Sequence, residues 1–334
     1  MSLSASSHRS NSFALSSPEL PGSRVFVAGH NGLVGSALVR ELEARSYGRL
    51  LTRSRSELDL RDQSAVAKFF DHERPEIVFL AAAKVGGIHA NNTARWEFLY
   101  ENLLIQNNIL GSALASDVKR LVFFGSSCIY PKLADQPIRE EYLLTGPLEP
   151  TNEPYAIAKI AGLKLVEAAN QEYGHRWLSL MPTNLYGPGD NFDLESSHVL
   201  PAMIRKFHDA KAGSPRGHAE AVKLWGTGRA LREFLHVDDL ARAACDLMTT
   251  GQSGLFNVGS GEELSIRDLA ARVAEVVGYD GPVEWDSTRP DGTPRKLLDS
   301  TKVRATGWAP RISLMSGLKQ TYEWYVANMS PAAA

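Results

Sequence analysis

The hydrophobic positions of this 334-residue chain fall in short continuous blocks separated by amphipathic stretches. Arg24-Val25-Phe26-Val27-Ala28 forms the first block, Gly29 closes it, and an amphipathic segment follows from Leu33 to Arg45. The alternation returns with Leu50-Leu51-Thr52, a predicted helix over Ser64–Phe70, and Ile77-Val78-Phe79-Leu80. A long helical stretch to Ser116 leads into Leu121-Val122-Phe123-Phe124, and a helix over Tyr155–Tyr173 precedes a strand over Trp177–Met181. Apolar blocks with no polar alternation predict strands buried on both faces. That arrangement is a parallel sheet with helices above and below it, an α/β doubly wound architecture.

Beyond Asn184 the texture changes. Gly187-Pro188-Gly189 and Pro201 punctuate the chain, and 213–217 reads as loop. Leu255-Phe256-Asn257-Val258 reads as one more strand, followed by a helix over Ser265–Val277, a Pro/Gly-rich loop over Arg289–Arg295 and a last helix over Leu314–Ala327. The expected organisation is a cofactor domain over 22–185, to which 230–260 returns, and a smaller α/β substrate domain over 186–328. Eight serines among the first 20 residues make 1–21 an expected disordered tail, with a second tail over 329–334.

Composition removes several classes of function. Lys plus Arg total 36 against 38 Asp plus Glu, a net charge of −2, so no global field favours nucleic acid or a membrane surface. Cys128 and Cys245 are the only cysteines, too few for a disulfide framework. No apolar run reaches the roughly 18 residues of a membrane span. The expectation is a soluble cytoplasmic protein with no metal site.

Gly29-His30-Asn31-Gly32-Leu33-Val34-Gly35 joins the first strand to the first helix. Its glycines permit a tight turn and let the backbone approach a pyrophosphate at the helix N-terminus, as in a Rossmann dinucleotide fold. The second strand ends in Thr52-Arg53-Ser54-Arg55-Ser56, basic and hydroxylated, with no acid before Glu57. An arginine there suits the 2′-phosphate of NADP rather than a free ribose hydroxyl. Asp59-Leu60 offers either a helix cap or a contact near the adenine.

Tyr155 and Lys159 stand four residues apart on one helix face. A cation near the phenol is expected to lower its pKa from about 10, which suits proton transfer at a sugar oxygen. Ser126, at the end of the fourth strand, completes a Ser-Tyr-Lys unit. Cys128 lies two residues further on a segment expected to be extended, so its side chain shares the side of the Ser126 hydroxyl. By itself a buried cysteine is more often a small hydrophobe than a catalyst.

The glycine loop, Ala81-Ala82-Ala83-Lys84-Val85-Gly86-Gly87, the serine-bearing strand end and the Tyr-Lys helix resemble the extended short-chain dehydrogenases/reductases, over about Arg24 to Tyr325. The strings Gly125-Ser126-Ser127-Cys128-Ile129-Tyr130-Pro131-Lys132, Glu149-Pro150-Thr151-Asn152-Glu153-Pro154-Tyr155 and Met181-Pro182-Thr183-Asn184-Leu185-Tyr186-Gly187-Pro188 resemble the GDP-L-fucose synthases among them. Asp190-Asn191-Phe192 and Pro290-Asp291-Gly292-Thr293-Pro294-Arg295-Lys296 agree. The resemblance implies epimerisation of GDP-4-keto-6-deoxy-D-mannose at C3 and C5, then reduction at C4 with NADPH, in a homodimer. It further implies Cys128 as base and His198, in the loop after the last sheet strand, as acid. NADP(H) contacts extend to Phe124, Gly125, Ser126, Ser127, Pro182, Thr183, Asn184, Leu185 and His198. Lys206, Trp225, Arg232 and Asp291 fall to the GDP end, each with a bland alternative: Trp225 in the core, Arg232 paired with Glu233 or Asp238, Lys206 simply solvated. The rival readings are another nucleotide-sugar enzyme, such as a UDP-sugar 4-epimerase with tightly held NAD, and a non-catalytic NADP-binding regulator.

Overall fold

The computed structural model describes residues 22–213, 221–289 and 291–329. The serine-rich segment 1–21, most of the 211–221 loop and the last five residues lie outside the described residues. The first part of the chain alternates strand and helix: β1 (Val25–Ala28), α1 (Leu33–Ala44), β2 (Leu50–Leu51), α2 (Gln63–Glu73), β3 (Ile77–Leu80), α3 (Ile88–Thr93), α4 (Arg95–Ala115), β4 (Arg120–Phe124), α5 (Glu153–Tyr173) and β5 (Leu178–Pro182). There follow β6 (Asn184–Tyr186), α6 (Val199–Ala212), β7 (Val222–Trp225), β8 (Leu231–His236), α7 (Val237–Thr249), β9 (Gly254–Val258), β10 (Glu263–Ser265) and α8 (Ile266–Val277). The chain closes with β11 (Val283–Asp286), β12 (Arg295–Lys296), α9 (Thr301–Arg304) and α10 (Leu314–Asn328).

Six strands pair in parallel in the order β2-β1-β3-β4-β5-β9. The continuous apolar blocks are explained by this sheet. Val25 and Val27 enter one core with α1 and α7, while Phe26 and Ala28 enter another with α2, α4 and α5. Ile77 and Phe79 likewise part from Val78 and Leu80. Each of the larger side chains contributes about 1.5–3 kcal/mol of burial, and Ser179 on β5 and Asn257 on β9 are among the polar residues buried within the sheet.

Strand order reverses between β1 and β3, the point at which open α/β sheets leave a crevice beyond the strand C-termini. A third apolar core lies under α6, α8 and α10, around Phe192, Phe207, Leu269 and Tyr325. Its strands are mixed: β8 pairs antiparallel with β10 and parallel with β12 and β6, and β7 pairs with β11.

Three local expectations change. His198 does not follow the sheet's last strand, because β9 takes the sheet edge; it caps the N-terminus of α6 instead. The segment at Cys128 is a 3-10 turn over Ser127–Ile129, not an extended strand. The α2 cap is Asp62, whose carboxylate accepts from the Ala65 amide, and not Asp59.

Candidate active site

A cleft of about 1430 Å³ opens above the C-termini of β1, β3, β4 and β5 and runs to the second group of strands. At one end Gly29, Gly32, Leu33 and Val34 line it. Gly29 has φ +87°, and a Cβ there would stand 2.7 Å from the Ala82 backbone. A Cβ on Gly35 would run into the Gly29 carbonyl, so this glycine lets the helix approach the strand and does not line the cleft. His30 and Asn31 do not line it either. Gly32 begins α1 without a side-chain cap, which leaves the first amides of the helix facing the loop. A close glycine turn and uncapped amides fit a dinucleotide pyrophosphate.

Arg53 and Arg55 both line the cleft, with different partners. Arg53 pairs with Glu73 at 2.5 Å, donates to the Thr52 carbonyl and lies over the Phe69 ring. Arg55 is exposed, lines the cleft, and among the described residues no hydrogen bond or ion pair ties it. Glu57, the nearest acid, accepts from the Ser54 amide and hydroxyl. Asp59 grips the Arg61 guanidinium, which holds its carboxyl down at about 2; with Leu60 it lines the cleft.

The reactive centre is built from β4, α5 and β12. Phe124, Gly125, Ser126, Ser127 and Cys128 line the cleft where β4 ends, and Pro182, Thr183, Asn184 and Leu185 line it where β5 ends. Lys159 is only 4% exposed, and its Nζ donates to the Phe124 carbonyl at 2.8 Å. The ammonium sits 5.8 Å from the centre of the Tyr155 ring. The expected lowering of the phenol is reversed here. Burial pushes Tyr155 up, the Cys128 sulfur adds to that, and burial pulls Lys159 down to about 8. Desolvation therefore sets the direction of the shift, and Tyr155 rests protonated.

Ser126 and Cys128 do share a side, though through the turn. The Ser126 hydroxyl caps it by accepting the Cys128 amide at 3.3 Å. Burial pushes the Cys128 thiol up, while Lys296, the Ser126 hydroxyl and Lys159 pull it down. His198 faces the same cleft from the start of α6, still open to solvent; desolvation by the surrounding cleft walls and then Lys296 lower its pKa. The site thus rests as thiol plus neutral imidazole.

At the far end lie Lys206, Trp225, Arg232 and Asp291. Trp225 is 54% exposed with Arg289 over its ring, so it is not a core residue. Arg232 pairs with neither Glu233 nor Asp238; it donates to the Leu231 and Asp291 carbonyls. Asp291 accepts from the Thr227 amide and hydroxyl, and Lys206 donates to the Lys223 carbonyl. Cys245 is buried in α7, where burial raises its thiol to about 12.

Sequence reasoning did not single out Lys296 as a site residue. Parallel pairing of β12 with β8 sets it opposite Arg232, and it lines the cleft within electrostatic reach of Cys128, His198 and Glu149. Its position inside the Pro290–Lys296 string was visible; the strand pairing that brings it to the thiol was not. Asp190 was also passed over as a titrating group: one carboxylate oxygen accepts the Asn191 amide, the other is buried without a partner, and burial raises its pKa to about 7.

Comparison with known proteins agrees with this architecture. The model of the NAD dependent epimerase/dehydratase family matches residues 25–259. GDP-L-fucose synthase 1 of Arabidopsis thaliana is 56% identical over 308 residues, covering 92% of this chain and 94% of that protein. GDP-L-fucose synthase of Escherichia coli K12 is 53% identical over 315 residues, covering 91% and 97%. A crystal structure of a GDP-L-fucose synthetase from Naegleria fowleri bound to NADP superposes with a TM-score of 0.82 at 28% identity, covering 92% of this chain and 94% of the other.

Proposed function

The chain belongs to the NAD dependent epimerase/dehydratase family, the extended short-chain dehydrogenases/reductases, and we propose that it converts GDP-4-keto-6-deoxy-D-mannose to GDP-L-fucose with NADP(H) as cofactor. The observation that carries the reading is one cleft holding a Ser126-Tyr155-Lys159 unit beside a Cys128, His198 and Lys296 group. The first set suits ketone reduction. The second suits proton exchange at the neighbouring carbons.

C3 and C5 flank the C4 ketone, and their protons are acidic only if charge can move onto O4. The Ser126 and Tyr155 hydroxyls donate to that oxygen. Cys128, as thiolate, takes the proton from carbon, and His198, as imidazolium, delivers one to the opposite face. The thiol and neutral imidazole left behind are the resting pair; the thiol gives its proton to water and the imidazole takes one from water, so the ionised pair forms again before C5 turns over. Lys296 favours the thiolate, which offsets part of the burial that opposes it. When bound, NADPH supplies the hydride that reduces C4. Tyr155 then gives O4 its proton, as a phenol kept protonated by burial can do, and Lys159 balances the phenolate that remains.

Arg55 takes the 2′-phosphate, and Lys206, Trp225, Arg232 and Asp291 take the GDP end. Cofactor and sugar nucleotide divide between 22–185, with 230–260, and 186–328; the separate apolar cluster under α6, α8 and α10 supports that division. We read the protein as a cytoplasmic homodimer. Two unpaired buried cysteines support the compartment. Trp96 and Tyr100 on α4, with Ile157 and Leu165 on α5, are exposed on helices packed side by side and support a partner on that face. No described helix is long and apolar enough to cross a membrane.

The reading is tested by supplying the purified protein with GDP-4-keto-6-deoxymannose and NADPH and following nicotinamide absorbance. NADPH consumption with formation of GDP-L-fucose is expected. No consumption, or reduction to a sugar with unchanged C3 and C5, refutes it.

A further inference from the structure

Two loops that both line the cleft meet in a close backbone contact. The first is Ala81–Gly87, which leaves β3. Asn102, buried on α4, holds it at Lys84 through both backbone groups, accepting the amide at 2.9 Å and donating to the carbonyl at 3.0 Å. Asn91, buried on α3, holds its far end by donating to the Gly86 carbonyl at 2.6 Å and the Gly87 carbonyl at 3.0 Å.

The second loop leads into His198. Asp193 organises it, accepting the Ser196 amide at 3.0 Å and the Ser196 hydroxyl at 2.9 Å, while Asn191 donates to that hydroxyl. The loops join where the Gly87 amide donates to the Ser196 carbonyl at 2.9 Å. Ser196 is two residues from His198. Hydrogen bonds from α4 and α3 therefore anchor the β3 loop at Lys84, Gly86 and Gly87, and the Gly87–Ser196 bond ties that loop to the chain two residues before His198.

Gly87 has φ −66° and ψ −178°, a conformation open to any residue, so its backbone does not require glycine. Space does. A Cβ there would stand 2.5 Å from the Ser197 carbonyl oxygen and 3.6 Å from that of Ser196, both backbone atoms that cannot swing away. Glycine at this position sets how near the His198 loop comes to the β3 loop.

We propose that the Gly87–Ser196 contact, held in place by Asn91, positions His198 for proton delivery at C3 and C5, making Gly87 and Asn91 positioning residues for epimerisation. This rests on the reading of His198 as the acid. Reduction uses Ser126, Tyr155 and Lys159, which stand just after β4 and on α5 and hydrogen-bond to neither loop. The two half-reactions therefore separate. A Gly87→Ala change should lower C3/C5 solvent-deuterium exchange at least tenfold and lower NADPH-dependent reduction of the already epimerised ketone, GDP-4-keto-6-deoxy-L-galactose, by less than about threefold. A misplaced donor of about 1 Å is enough for losses of that size. Asn91→Ser, too short to reach both carbonyls, should act in the same direction and serves if the alanine variant folds poorly.

His198→Gln is measured beside them in the full-length enzyme. Selective loss of exchange in His198→Gln and in the Gly87 or Asn91 variants supports the proposal. If His198→Gln loses exchange while the others keep it, or lose both activities equally, the positioning role is overturned and the reading of His198 stands. If His198→Gln keeps full exchange, the acid assignment fails and the proposal with it.

Discussion

Of the two arginines after β2, both of which line the cleft, Arg55 should dominate cofactor preference. Arg53 is occupied: it pairs with Glu73, donates to the Thr52 carbonyl and covers Phe69. Arg55 faces the cleft with no such partner among the described residues. A charge-assisted hydrogen bond contributes about 1.5–3 kcal/mol, which at 1.36 kcal/mol per decade is roughly 13- to 160-fold. Arg55→Ala should therefore lower kcat/KM for NADPH by about one to two decades and leave that for NADH nearly unchanged, since NADH carries no 2′-phosphate. Arg53→Ala should keep the NADPH preference and reduce stability instead, by about 1 kcal/mol after screening of a part-exposed pair. The assay is initial rates with each cofactor at saturating sugar nucleotide, with a urea melt of both variants. Equal loss of NADPH preference in the two variants refutes the separation, and so does unchanged preference in Arg55→Ala.

Other consequences follow from the same geometry. Burial sets the Lys159 ammonium at about 8, so kcat/KM for reduction of the epimerised ketone should fall as pH rises through that value; Lys159→Arg, whose charge persists, should remove the fall. A profile flat to pH 10 in the unaltered enzyme contradicts it. Asp190 has a folded pKa raised to about 7 against about 3.9 when unfolded, so its protonated form stabilises the fold below pH 4 and that contribution is lost as pH rises through 7. Asp190→Asn should then gain up to about 4 kcal/mol over the native chain at pH 8 and little at pH 4, read by urea unfolding at both. Lys296→Met removes the cation that most favours the Cys128 thiolate, and should slow both alkylation of that thiol and C3/C5 exchange by tenfold or more. Unchanged alkylation rates exclude Lys296 from that role.

Much of the fold was legible because the signals are local. Val25–Ala28 and Ile77–Leu80 are apolar at every position, and only a strand covered on both faces needs that. Gly29, Gly32 and Gly35 marked the cofactor turn, although Gly35 serves the approach of helix to strand and not the lining. Tyr155 and Lys159 are four residues apart on a helix, so their proximity was readable; the direction of the phenol's shift was not, because burial is a property of the assembled cleft. Arg53 and Arg55 both line the cleft, and the pairing of Arg53 with Glu73, twenty residues on, was not readable from the sequence. Lys296 reaches Cys128 only through the pairing of β12 with β8, 64 residues apart in sequence at Arg232, and no spacing rule announces that.

The central claim is that one cleft exchanges protons through Cys128 and reduces through Tyr155. It is tested most directly by running the unaltered enzyme and Cys128→Ser in D2O. The account predicts GDP-L-fucose labelled at C3 and C5 from the unaltered enzyme. It predicts no exchange from Cys128→Ser, which nevertheless oxidises NADPH when given GDP-4-keto-6-deoxy-L-galactose. Deuterium at C3 and C5 from Cys128→Ser at an undiminished rate contradicts it.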